Sequence, residues 1–592
     1  MNEFVNYLNS INNIGGNSTG SLAEYQVKSP FYDYIKIDRR IGNHIANSVS
    51  SQSYRAYILT GHAGDGKTSI LVQVLKMLSL LAPGEGLDVH KEYSNFFYIK
   101  DMSEIPEAAL VNLLEKALQA PGHNKTSLLI TNTGPLLKSF LTLAKKRKNA
   151  IGSELSPEEE IELRSTILTQ LDKNEDKEIE LAGYRFVFVN IARLDNVAFA
   201  TKILKKIANS DLWSTCDTCS AIDRCPIRNN QELITSHYER ISTFIDNYYR
   251  YLYENDKRMT IRQMVGQICF GLTGNLSCDE ICNRYLKEPF FTYNFANSFF
   301  GYLGLDVNRD SLQINGIKHI QNLALDKIAL NVDYKLFVNH DYNFFPKNIR
   351  KELVELEHKS RKYFQVSDEN IAALTSEQRN TANLRMAVRR FYFIYGVNTA
   401  EYSIDGIFNQ IFGKNFIDYK KMITSAQPSS MVRKMQNVVF NALYIKNTGF
   451  LPNGSSDLPL TLRREDDVYQ SALLVLGEVN KSDIRVVSYR VTNQLEDTGE
   501  KYELYIQLKD ALFKLSLPMI KYFNDLINGT VASNSNPALT HGIASLDTLL
   551  LDQFGEVKPN RGEDCEISII INTTKGQQIQ RLDFNSNRLY IE

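Results

Sequence analysis

Apolar and polar residues change texture three times along the chain. From Tyr54, short β-branched and aromatic runs, RAYILT (55–60), NFFYIK (95–100), SLLITN (127–132) and RFVFVN (185–190), alternate with stretches in which apolar residues recur every three to four positions, at about 67–80, 104–119 and 135–147. Strands that are apolar throughout are strands covered on both faces, so this alternation predicts an α/β unit built on a parallel sheet. From 198 to 420 the pattern is helical. After 421 it turns β-rich, with RVVSYRVTN, KYELYIQLKD and CEISIIINTT separated by turn signals such as PNGSSD.

These changes suggest a division into an N-terminal segment (1–53), an α/β core (54–197), a helical lid (198–290), a helical domain (291–420) and an α+β C-terminal domain (421–592). The first segment contains a Gly/Asn/Ser run, NNIGGNSTGS, that reads as flexible. Within the core, 151–183 carries ten acidic residues against Arg164, Lys173 and Lys177, and reads as a solvated insertion between two strands. Charge is balanced overall, 67 Lys+Arg against 68 Asp+Glu. That argues against a wholly basic coat for nucleic acid and leaves room for local basic faces. No apolar run reaches the length of a membrane span and MNEFVNYLNS is no secretory signal, so a cytoplasmic location is expected. Seven cysteines, an odd number in a long chain, do not read as a disulfide scaffold.

The most informative motif is Gly61-His62-Ala63-Gly64-Asp65-Gly66-Lys67-Thr68, followed by Ser69, which fits G-x-x-x-x-G-K-[ST] between an apolar strand and a helix. Glycines let successive N–H groups curl around a phosphate, and the helix N-terminus adds its positive end. Lys67 would neutralise the β/γ-phosphates of ATP, and Thr68 would give its hydroxyl to Mg²⁺. A carboxylate is also needed at a strand end. Asp101, closing NFFYIK, is the nearest, with Glu104 behind it; a helix cap is the plain alternative for Asp101. The third strand ends Asn132-Thr133-Gly134, without an acid, and Asn132 or Asn190 could sense the γ-phosphate. Arg262, opening a helix in the lid, is placed to reach the same phosphate, or is an ordinary surface arginine. Hydrolysis is therefore expected less firmly than binding.

Cys216-Asp-Thr-Cys219 and Cys225-Pro226 form C-x2-C-x5-C. Three thiolates ask for a fourth ligand around zinc, and Cys278 is the expected one, with Cys282 and His237 as other options. The site reads as structural; an iron–sulfur cluster or free buried cysteines are the alternatives. Further along, KNIRKELVELEHKSRKYF and LRMAVRRFYFIYG interleave Lys, Arg, Tyr and Phe. Arg361, Lys362, Arg389 and Arg390 could face DNA there, or the segments could be long helices with solvated basic faces.

The combination of GHAGDGKTS, a strand ending TNTGPLLKSF, the C-x2-C-x5-C-P knuckle and the lid segment MTIRQMVGQICFGLTGNLSC resembles DptF (DndF), the P-loop component of bacterial DNA phosphorothioation-dependent restriction systems. The resemblance covers residues 30–290. It implies an AAA-like P-loop NTPase whose helical lid carries a metal knuckle, followed by a helical region and a β-rich domain. It also implies a subunit of an antiphage complex, acting with DptG-like and DptH-like partners on DNA that lacks phosphorothioate marks. The other reading of the residues is a nucleotide-dependent switch or scaffold that binds ATP, hydrolyses it little and recruits protein partners.

Overall fold

In the computed structural model the described residues are 2–12, 23–82, 84–150, 152–173, 176–283, 290–339, 341–362, 371–426, 429–462, 472–491, 495, 501–530, 536–555, 565–573, 576–585 and 588–591. They form two compact units, one comprising 1–253, 257–411 and 493–498, the other 254–256, 412–492 and 499–592.

The first unit is built on a six-stranded, mostly parallel sheet: β1 (Ala56–Thr60), β2 (His90–Glu92), β3 (Phe96–Ile99), β4 (Thr126–Thr131), β5 (Glu178–Leu181) and β6 (Tyr184–Asn190). Their spatial order is β2-β3-β4-β1-β6-β5. The four central strands are parallel, and β2 and β5 add antiparallel edges. The central four are the runs that the apolar pattern marks. The edges escape that reading because β2 is three polar residues long and β5 is hidden in the acidic stretch.

Helices accompany the sheet, α2 to α6 packing on its two faces: α1 (Glu3–Ile11), α2 (Arg40–Ser50), α3 (Lys67–Met77), α4 (Glu107–Gln119), α5 (Thr133–Ala150), α6 (Pro157–Lys173) and α7 (Val197–Ala208). On one face Tyr57, Leu59, Leu128, Ile130, Val187 and Val189 meet Ile41, Ile45 and Val49 of α2 and Ile70, Leu71 and Val74 of α3. On the other, Ile58, Phe97, Ile99, Leu129 and Phe186 meet Leu114 of α4, Phe140 of α5 and Ile167 and Leu171 of α6. The acidic stretch is thus solvated on one side only. Ile167 is 1 % exposed while Ile161 of the same helix is 68 % exposed.

Further helices continue the unit, among them α8 (Pro226–Ser236), α9 (Tyr238–Glu254), α10 (Ile261–Thr273) and α11 (Cys278–Asn283). Phe244 of α9 stacks on Phe300 and Phe393, and Tyr248 and Tyr249 pack against Phe299. The run at 391–395 is buried throughout, so its aromatics form core and no stacking surface. Arg390 is buried completely, pairs with Asp326 at 2.8 Å and lies 3.7 Å over the Tyr302 ring. Arg389 makes a two-point pair with Asp333. The basic face expected here does not include these two arginines: an always-charged guanidinium inside a core takes a carboxylate and a ring as its partners. The side chains of Arg361 and Lys362 lie outside the described residues, as do Asn13–Gly20 of the glycine-rich run.

The second unit is α+β. Strands Asp457–Leu462, Ala472–Asn480, Cys565–Thr573, Gly576–Asn585 and Arg588–Ile591 make a five-stranded antiparallel sheet. Ile484–Arg490, Tyr502–Leu508 and Ala511–Lys514 make a three-stranded one, with helices Lys414–Thr424, Ser429–Thr448, Leu517–Ile527 and Pro537–Phe554 beside them. Among the described residues, no helix of either unit is long and apolar enough to cross a membrane.

Candidate functional site

The chain leaves β1 at Thr60, turns through 61–66 and enters α3 at Lys67. Gly64 and Gly66 hold φ of +90° and +87°, a region that side chains with a Cβ avoid. A Cβ on Gly64 would also stand 3.0 Å from the Thr260 hydroxyl. Gly66 is the N-cap of α3 and brings no side-chain oxygen to its first turn, so the positive end of the helix opens onto the loop. Lys67 folds back over the loop, its Nζ donating to the carbonyls of Gly61 (2.6 Å) and His62 (3.0 Å) and to Oδ1 of Asn132 (3.2 Å). Burial holds the Lys67 ammonium below the ordinary lysine value, and nearby Arg262 pushes the same way against Asp65 and Asp101.

Around the loop lies a cavity of about 410 Å³. Its polar half is lined by His62, Ala63, Gly64, Gly66, Lys67, Thr68, Ser69, Asp101, Glu104, Asn132 and Arg262; its apolar half by Tyr32, Ile35, Ile37, Phe199, Ile203, Ile261 and Val265, with Ile11 of α1. The sheet explains the convergence. Asp101 follows β3, Asn132 follows β4 and the loop follows β1, and these neighbouring parallel strands end at one edge, where open α/β sheets take their ligands.

Asp101 is a cap, as its plain alternative has it: Oδ1 accepts from the Ser103 amide (2.9 Å) and hydroxyl (2.7 Å), tying the turn Met102–Glu104. Among the described residues its Oδ2 has no hydrogen-bond partner, and the side chain still lines the cavity. Glu104 lines it too but is paired with Lys100 at 3.0 Å. Arg262 sits in the first turn of α10, whose capping box joins Thr260 and Gln263. Its N–H donates to the Gly64 carbonyl at 3.2 Å, and its half-buried guanidinium has neither hydrogen bond nor ion pair among the described residues. Asn190 stays out of the cavity, its amide donating to Leu171 and accepting from Ala192.

Two arginines that sequence spacing does not single out hold the loop. Asp65 is buried, accepts the His62 amide at 3.0 Å and pairs with Arg258, just before α10, at 2.7 Å. Arg258 also donates to the Ile191 carbonyl. Arg39 donates to the Asp65 carbonyl and lies 4.9 Å over the Phe199 ring. Nothing local in the chain signals either contact, since Arg258 and Asp65 are 193 positions apart.

Away from the cavity five thiols gather. Cys216 ends a 3₁₀ turn, Cys219 follows it, Cys225 caps α8 by accepting the Arg228 amide, and Cys278 and Cys282 lie one turn apart on α11. Cys219 and Cys282 have their sulfurs 3.9 Å apart, while Cys216 and Cys278 both meet Asn2, at 3.3 and 3.9 Å. Among the described residues no three His, Cys, Asp or Glu side chains stand together as a ready metal-binding group. His237 instead packs edge-on to Tyr395, and Cys269 is a core residue whose thiol burial pushes up to about 12.

No protein-family model, curated protein or solved structure matches the chain.

Proposed function

We propose that the chain binds ATP with Mg²⁺ at this cavity and hydrolyses it as a P-loop NTPase with an AAA-like arrangement. The observation that carries the reading is Arg262: a guanidinium without an ion-pair partner, lining one cavity with Lys67, the glycine loop and the α3 N-terminus. Arg262, Lys67 and the positive end of α3, around a loop where a Cβ at Gly64 would be crowded and strained, fit a polyphosphate. Gly61 to Ser69 would cradle the phosphates, with Thr68 and the unpaired oxygen of Asp101 as the magnesium side of the site. The ion, when bound, neutralises charge on the phosphate oxygens. With β4 standing between β1 and β3, Asp101 follows the strand beyond the inserted one, which is where an additional-strand P-loop fold carries its acid. Asn132, already on Lys67, would read the γ-phosphate, and the apolar half would take the base.

A second reading, a switch that binds ATP with little turnover, is favoured by one feature. Glu104, the only carboxylate besides Asp101 among the described lining residues, is engaged by Lys100. The resemblance to DptF supports placing the subunit in an antiphage restriction complex with DptG-like and DptH-like partners, on DNA without phosphorothioate marks. ATP hydrolysis by the purified chain, with and without DNA, beside Lys67→Ala and Asp101→Ala, tests these readings. Turnover lost in both variants is expected of the ATPase; tight binding with no turnover selects the switch; no binding of MgATP overturns both.

A further inference from the structure

We propose that the outer face of the three-stranded sheet in the second unit binds single-stranded nucleic acid. Side chains alternate across a strand, and the two faces of this sheet differ in character. Ile484, Val486, Leu504 and Ile506 are buried on one. On the other, the register aligns Val487 with Tyr505, Tyr505 with Lys514, and Tyr489 with Glu503. Arg485 and Leu512 stand on the two sides of Gln507 in the next row. Tyr489 is 46 % exposed and Leu512 48 %; Arg485 and Lys514 are exposed too. Aromatic and aliphatic side chains gathered on a water-facing sheet and rimmed by charge mark a surface that takes a partner.

Ring geometry and charge decide the chemistry of that partner. The Tyr489 and Tyr505 rings lie 5.9 Å apart on neighbouring strands. They are two stacking platforms side by side, which the unpaired bases of a single strand can cover and the bases inside a duplex cannot. The Tyr505 hydroxyl donates to one oxygen of Glu503 at 2.6 Å, and Lys514 pairs with the other at 2.6 Å. That carboxylate thus holds the ring in place. Arg485 is positioned by one bond to the Ser482 carbonyl. Lys501, two positions before Glu503, shares its side of the strand and acts on both Glu503 and Tyr505. Among the described residues of this face, three cations therefore stand against one carboxylate, a balance complementary to a phosphate backbone. Bases on the tyrosines and phosphates on the rim give a footprint of about two or three nucleotides. DNA and RNA strands both offer this chemistry.

The proposal does not rest on the ATP reading, and its test contains no nucleoside triphosphate. Fluorescence anisotropy of the full chain is measured with labelled oligothymidylate DNA, oligouridylate RNA and a DNA duplex of equal length, across a salt series. Binding of either single strand, tighter than that of the duplex, is expected, and the ratio of the two strands tells which sugar the face accepts. Tyr489→Ala should weaken single-strand binding about tenfold, while Tyr489→Phe keeps it, because the ring and not the hydroxyl stacks. Arg485→Ala should lower the slope of log affinity against log salt by about 0.7, the share of one phosphate contact. Tyr489 is so exposed that its replacement leaves the fold in place. No binding of either strand at low salt, which would leave the face to a protein partner, would overturn the proposal. So would tighter binding of the duplex, or unchanged single-strand affinity in Tyr489→Ala.

Discussion

At the scale of single residues, the loop depends on contacts that reach it from far along the chain. The Asp65–Arg258 pair has its carboxylate wholly buried, so removing either partner strands a charge. Arg258→Ala and Asp65→Ala are each expected to cost about 3 kcal/mol, the double variant clearly less than the sum, by urea denaturation. MgATP affinity should fall in both single variants, because Asp65 also fixes the His62 amide in the loop. Arg390 is a different kind of arginine. Arg390→Gln leaves Asp326 buried without its cation, and the expected outcome is a loss of about 3 kcal/mol of stability. A variant of full stability with weakened, salt-sensitive DNA binding would contradict the buried placement.

At the scale of elements, the parallel strands were legible because each is covered on both faces and is therefore written in apolar residues throughout. Helix α6 was not, because its sequence is dominated by the solvated side, and three consecutive glutamates at 158–160 mask a narrow apolar stripe. Ile167→Ala and Ile161→Ala compare the two sides of one helix with one chemistry. The first is expected to cost about 2–4 kcal/mol and the second less than about 0.5 kcal/mol, measured as shifts in the urea midpoint. The short turns around Cys216–Cys225 carry no periodicity at all, and their legible feature was cysteine spacing. That spacing identified three thiols of the group; the pairing of Cys219 with Cys282 needed α11 to fold beside them.

At the scale of the whole molecule, two units with separate sheets divide the chain. The ATP reading places ligand stabilisation in the first unit, because every lining residue of the cavity belongs to it. At a nucleotide concentration about one hundred times its dissociation constant, the gain is about 2.7 kcal/mol. A thermal scan should therefore show the transition of the first unit rising with MgATP and staying in place in Lys67→Ala. A rise confined to the second unit would locate the nucleotide elsewhere.

Local chemistry was enough to announce the glycine loop, its lysine, the four parallel strands and the cysteine-rich turn. Each is specified by residues adjacent in the chain: glycines where φ is positive, apolar runs where both faces are covered, thiols at knuckle spacing. Tertiary structure decided which distant groups meet them. It brought Asp101 and Asn132 to the loop through strand order, left Arg262 without a partner at the cavity, put Arg258 on Asp65, and turned Arg389 and Arg390 inward to carboxylates. Such outcomes depend on packing between segments tens to hundreds of residues apart, and a charged residue reads the same in sequence whether it ends in water or in a core.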